Sequence, residues 1–189
     1  QNRFFHSQLE FIEVFLERGG FDVIVGNPPW LKVLFEEKGI ISESFPEILI
    51  RKTTAPKVRI MRDTLLESKT LFKSYILENI ENESSGNYLN SKQNHPFLIG
   101  QQTNLYKCIL ENSLKVISSN GYIGLIHPES VYDDPKGQKL REEIYPSLQY
   151  HFQFLNVFKL FSEVHHRLTF GISVYKGFKG DINFKNINN

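Results

Sequence analysis

A chain of 189 residues with 40% hydrophobic and 13% aromatic content is long and apolar enough to bury a sizeable core. Its 22 Lys and Arg against 21 Asp and Glu leave a formal charge of +1, which excludes a protein that grips nucleic acid over its whole surface, so any such contact is local or comes from other polypeptide. A single cysteine, Cys108, excludes an internal disulfide and a cysteine zinc cluster. With no run of about 18 apolar residues and no cationic leader, the expected compartment is the cytoplasm, away from membranes.

Leu9, Ile12, Phe15 and Leu16 fall at helical spacing over residues 7–18, and Gly19-Gly20 stops them. Val23-Ile24-Val25 then reads as a buried strand that ends at Gly26-Asn27-Pro28-Pro29-Trp30, where two prolines can continue no ladder. Open α/β sheets bind ligands at the carboxyl ends of their strands, so this stiff corner is the expected site. Asn27 both accepts and donates hydrogen bonds, the proline carbonyls remain free acceptors, and Trp30 offers a flat π-surface for a planar ring such as an extruded base. Together they suit a planar group bearing an NH₂. The plainer reading is a strand, a polar turn and a core tryptophan.

Residues 31–98 read as an irregular, partly helical insertion punctuated by Pro46 and Pro56. Within it Arg51, Lys52, Lys57, Arg59 and Arg62 place five cations in twelve residues without a carboxylate, a candidate phosphate-binding cluster whose alternative is a solvated helix face. Apolar pairs from Leu65-Leu66 to Ile76-Leu77 predict one amphipathic helix over 64–80, and the polar stretch 81–93 predicts a loop at Ser84-Ser85-Gly86-Asn87. Leu105, Ile109, Leu110, Leu114 and Ile117 form a helical stripe, and Tyr122-Ile123-Gly124-Leu125-Ile126 forms a second buried strand closed by His127-Pro128. Helix, glycine turn, strand and polar loop are the repeating unit of a doubly wound sheet. A short helix over 136–145 stops at Pro146, and the alternation in 150–155 and 168–175 predicts two strands that pair antiparallel.

Several further residues carry weaker signals. Asn104 and Tyr106 read as line-up candidates for the site, or as a helix cap and a core tyrosine. His127, Pro128 and Ser130 border the end of the second strand, and Asp133-Asp134-Pro135 reads as a cap for the following helix. Glu163-Val164-His165-His166 lacks the i, i+4 histidine spacing of a zinc helix, so no metal is expected. Cys108 reads as a buried, inert thiol.

Asn27-Pro28-Pro29-Trp30 after the Gly20–Gly26 strand resembles the catalytic motif of amino-methyltransferases. With Phe4-Phe5-His6, Leu9-Glu10-Phe11, Asn104-Leu105-Tyr106-Lys107 and His127-Pro128-Glu129-Ser130-Val131-Tyr132, it is similar to the adenine-N6 DNA methylases of the type IIG, or Eco57I-like, restriction-modification and phage-defence family. The resemblance implies a Rossmann-like α/β fold with a mixed, mostly parallel sheet and an antiparallel edge pair. It implies transfer of a methyl group from S-adenosylmethionine to the N6 amine of an adenine flipped from double-stranded DNA, with Asn27, Pro28, Pro29 and Trp30 as the catalytic residues. No glycine-rich adenosyl-binding loop precedes the motif, so residues 1–189 are expected to be the target-base half of a catalytic domain. The cofactor is then bound mainly by the rest of a larger enzyme, and residues 31–98 are an insertion. Two rival functions remain open at this point: a catalytically silent nucleic-acid-binding module resting on the cation cluster, and an N-methyltransferase acting on a protein glutamine.

Overall fold

Alternating apolar segments assemble into one five-stranded sheet of β1 (Phe21–Gly26), β2 (Ile117–Pro128), β3 (Leu148–Leu155), β4 (Thr169–Lys176) and β5 (Lys185–Asn188), in the order β1-β2-β4-β3-β5. β1 and β2 are parallel, β4 is antiparallel to both β2 and β3, and β5 is parallel to β3. Four strands therefore run one way and β4 alone runs against them, a mixed and mostly parallel α/β sheet. The antiparallel pair β3/β4 is not the edge pair of the sequence expectation, because β5 adds outside β3. The computed structural model describes residues 5–162 and 165–188.

The chain divides into two compact units, residues 1–32 with 90–189 and Val33–Leu89. In the first, α1 (Ser7–Glu10) and α2 (Ile12–Arg18) precede β1. The single helix expected over 7–18 is broken at Phe11, which sits at φ −119° and ψ 41°. Its ring packs edge-on against Phe5 and Phe21 at centroid distances of 6.1 and 5.5 Å, and this contact takes the residue out of the helical region. Gly19 ends α2 in the left-handed conformation at φ 72°, its N–H donating to the Phe15 carbonyl, the expected glycine stop.

The second unit is helical: α3 (Glu37–Ser44), α4 (Glu47–Ile50), α5 (Ala55–Leu65) and α6 (Lys69–Leu89), around Ile41, Ile48 and Val58 with Phe45, Leu65 and Tyr75 packed against them. Two expectations fail here. The helix over 64–80 is two helices separated by the turn at 66–68, and the loop at Ser84-Ser85-Gly86-Asn87 is the last part of α6. Polarity alone does not end a helix; Asn82 bonds back to the Glu78 carbonyl and carboxylate one turn earlier, and a single Gly86 costs about 1 kcal/mol.

α7 (Leu105–Val116) leads into β2, and α8 (Ser130–Asp133) and α9 (Gln138–Ile144) connect β2 to β3. Tyr106, Leu110, Ile123, Leu125, Leu140, Ile144, Leu148 and Tyr175 are buried together with Val131 in this unit, each large side chain contributing about 1.5–3 kcal/mol by leaving water. β1 is different. Val23 and Val25 are 63% and 78% exposed, so the strand is present, at the edge of the sheet, but the face that these two side chains share is not buried as expected. No described helix is long and apolar enough to cross a membrane.

Candidate functional site

Because β1 and β2 are parallel with Gly26 opposite Leu125, both end at the same margin of the sheet. The Asn27-Pro28-Pro29-Trp30 corner therefore leaves β1 beside Ile126, His127 and Pro128. The Trp30 indole N–H donates to the Ile126 carbonyl at 3.3 Å, and its half-buried ring packs against Phe161 at 4.6 Å and Phe170 at 6.0 Å between centroids. Pro28 is buried while Asn27 and Pro29 are exposed. Among the described residues the Asn27 amide has no hydrogen-bond partner, so it is available to a ligand.

The segment after Trp30 is tied to the start of α7: the Leu105 N–H donates to the Leu31 carbonyl at 2.9 Å, and Lys32 bridges Asn104. Next to this tie lies a cleft of about 210 Å³ whose lining includes Lys32, Asn104, Lys107, Ser130, Asp133 and Asp134. Asn104 precedes α7 without a side-chain capping bond, and its buried Oδ1 has no hydrogen-bond partner among the described residues. Tyr106 is a core residue whose hydroxyl bonds Ser130 Oγ at 2.8 Å, and burial pushes its phenol well above the usual range. Buried Lys107 donates to Asp134 Oδ2 at 2.5 Å and to Gln101 Oε1 at 2.9 Å. Burial alone would raise the Asp134 carboxyl, but the bonds from Lys107 and the Lys136 N–H outweigh it and hold the group below its ordinary pKa. Asp134 does not cap α9, which begins four residues later at Gln138 after Gly137; it serves the turn and Lys107 instead.

Behind the corner a chain of hydrogen bonds crosses β4. His127 Nδ1 lies 3.0 Å from the Pro128 carbonyl, which only accepts, so Nδ1 carries the proton. Burial lowers the His127 pKa, leaving the ring neutral and Nε2 bare to accept from the Tyr175 hydroxyl at 3.0 Å. Tyr175 then accepts from Tyr132 at 2.8 Å, Tyr132 from Ser173 at 2.9 Å, and Ser173 from His151 Nδ1 at 3.0 Å. The last link runs from His151 Nε2 to Glu129 Oε2 at 3.2 Å, both side chains buried. Gly171 makes room for it: a Cβ there would meet Glu129 Oε1 at 2.3 Å and His151 Cε1 at 2.7 Å. Gly171→Ala is expected to destabilise the protein by about 1–3 kcal/mol, the usual cost of overpacking, read as a lower urea midpoint; an unchanged midpoint would contradict the packing.

The five cations belong to the second unit, at the end of α4 and along α5. Arg59 and Arg62 each approach Glu37 at 3.8 Å, and Arg62 also bonds Asp63 at 3.0 Å, while Arg51, Lys52 and Lys57 are exposed with no ion pair among the described residues. The absence of carboxylates in the local sequence is thus offset by Glu37 from α3. His165 and His166 pack against each other, ring centroids 4.4 Å apart, whereas Phe4, Glu163 and Val164 lie outside the described residues. Cys108 is buried, and burial first, then Glu111, pushes its thiol up to about 11.

Two residues at the corner escape sequence reasoning. Phe161 lies on Trp30, and the buried Asn156 amide holds it, Nδ2 donating to the Phe161 carbonyl at 3.0 Å and Oδ1 accepting its N–H at 3.2 Å. The only signal was an asparagine heading a connection rich in Phe.

Comparison with known proteins gives likenesses to two solved structures and, over part of the chain, to one family. Among solved structures, a Listeria monocytogenes protein assigned to the class I S-adenosylmethionine-dependent methyltransferases superposes with a TM-score of 0.43 at 8% identity, over 89% of this chain and 36% of its own. The ATP-dependent Type ISP restriction-modification enzyme LlaBIII, bound to DNA, superposes with a TM-score of 0.42 at 14% identity, over 98% of this chain and 12% of its own. The chain thus spans about a third and about an eighth of these two proteins. More specifically, residues 1–49 match the family described as Eco57I restriction-modification methylase, and that segment contains β1 and the Asn27–Trp30 corner. The comparison with curated proteins gave no match.

Proposed function

We propose that this chain is the target-base half of a Rossmann-like class I methyltransferase domain, residues 1–189 with 31–98 as an insertion. Its reaction is transfer of a methyl group to the N6 amine of adenine in double-stranded DNA, in a cytoplasmic restriction-modification or phage-defence enzyme. The reading rests on one observation: an unpartnered Asn27 amide beside Pro28 and an anchored indole, at the carboxyl ends of two parallel strands, within the segment that matches the restriction-modification methylase family.

An exocyclic adenine amine is a poor nucleophile because its lone pair is delocalised into the ring. The Asn27 side-chain oxygen and the Pro28 carbonyl accept its two N–H bonds, favouring the tetrahedral nitrogen and the positive charge that grows during attack. Pro29 stiffens the corner that sets these acceptors, and Trp30 stacks on the flipped base. S-adenosylmethionine, when bound, supplies the methyl group. The described residues offer no glycine-rich strand-to-helix turn to cradle it, so no residue of this chain is assigned to its binding. The methylated nitrogen loses its proton to water, and no strong base is required.

Arg51, Lys52 and Lys57 contact DNA phosphates, with Arg59 and Arg62 partly neutralised by Glu37. Replacing the first three by Ala is expected to reduce the slope of log affinity against log salt by about 3, roughly 0.9 per lost contact; an unaltered slope contradicts the assignment. The reading as a whole is tested by incubating the full-length protein with radiolabelled S-adenosylmethionine, genomic DNA and a release factor. Label on DNA alone is expected, and label on the release factor alone would make the amide of a protein glutamine the substrate.

A further inference from the structure

The loop whose Phe161 lies on Trp30 also carries a largely exposed aromatic side chain, Phe158. Asn156–Phe158 forms one 3-10 turn and Lys159 follows at φ 49°, in the left-handed region. The buried Asn156 amide then grips both the N–H and the carbonyl of Phe161. This fixed turn sends Phe161 inward onto Trp30 and leaves Phe158 outside, 89% exposed, between Val157 at 56% and Leu160 at 73%. Phe158 makes no ring contact among the described residues, and Lys159 beside it and Arg167 in the same connection are exposed cations without an ion pair among those residues.

A base drawn out of a duplex leaves a gap in the stack, and apolar side chains that enter the stack offset the cost of unstacking. We propose that Phe158 is such a wedge, entering the space left by the base that rotates onto Trp30, with Lys159 and Arg167 on the flanking phosphates. The inference rests on the reading of the Asn27–Trp30 corner as a base pocket. Its basis is the juxtaposition of the two aromatics: three residues apart on one clamped loop, Phe161 packs on Trp30 and Phe158 stays exposed at the end of the sheet where β1, β2 and β3 all finish. The cationic neighbours complement a polyanion, which favours DNA over an apolar protein face as the occupant.

The test uses the full-length protein and two duplexes containing its methylation site, one fully paired and one with an abasic position opposite the target adenine, where the base is already free to leave. Single-turnover methyl transfer by Phe158→Ala is expected to fall ten- to a hundredfold on the paired duplex and to match wild type within about twofold on the abasic one, while Phe158→Leu keeps most of the rate on both. A 2-aminopurine at the target position should brighten less on binding to Phe158→Ala than to wild type. Equal losses on the two duplexes, as when Phe158 is covered by another part of the protein, or no loss on either, overturn the wedge alone. Wild-type protein that methylates neither duplex overturns the reading of the corner and the wedge with it.

Discussion

Asn27→Ala is expected to lower the rate constant of methyl transfer by about 10²–10³-fold, the effect of removing one preorganised partner from a developing charge, while leaving DNA affinity nearly unchanged. Asn27 is exposed and unpartnered, so its truncation removes no packing and no internal hydrogen bond, and the unfolding midpoint should stay within about 0.5 kcal/mol of wild type. The pairing of a large kinetic loss with unchanged stability is the diagnostic result, read from single-turnover rates and urea unfolding on the same preparations. Trp30→Ala should differ, because its indole donates to the Ile126 carbonyl and packs on Phe161 and Phe170: both rate and stability should fall.

The largest expected stability effect lies at Asp134. Removing its carboxylate by Asp134→Ala leaves the buried Lys107 ammonium with Gln101 as its remaining bonded partner, and breaking a buried pair from one side typically costs about 3–5 kcal/mol. Adding Lys107→Met should recover much of that loss, since the uncompensated charge goes with it. The pH dependence has a definite sign. The Asp134 pKa is depressed in the folded state, so its contribution is fully present above the unfolded value of about 3.9 and is lost as pH falls through the folded value. Wild type and Asp134→Asn should therefore converge in urea midpoint at low pH and separate at neutral pH; a gap that is constant with pH would contradict the pairing.

Much of the sheet was legible because period-two alternation and glycine or proline stops are local signals. Val23 to Val25, Tyr122 to Ile126, residues 150–155 and all but the first residue of 168–175 lie in strands. What local pattern could not convey was the partner of each face. β-branched Val23 and Val25 read as buried, yet they belong to an edge strand. Residues 84–87 read as a loop because they are polar, yet they continue α6. The same limit applies at the site. The stiffness of Asn27-Pro28-Pro29 is written in proline chemistry, but the packing of Phe161 on Trp30, the Glu37 partner of Arg59 and Arg62, and the bond chain from His127 through Tyr175, Tyr132, Ser173 and His151 join residues from 22 to 131 positions apart and arise only once the chain has folded.

The identity of the methylated base bears most directly on the proposed chemistry. Nucleoside mass spectrometry of DNA from cells expressing the full-length protein should show N6-methyladenine above the background of cells without it, and the signal should vanish with Asn27→Ala. DNA carrying only a methylated cytosine, or N6-methyladenine that persists undiminished in Asn27→Ala, would contradict the assignment of this corner as the site of amine methylation.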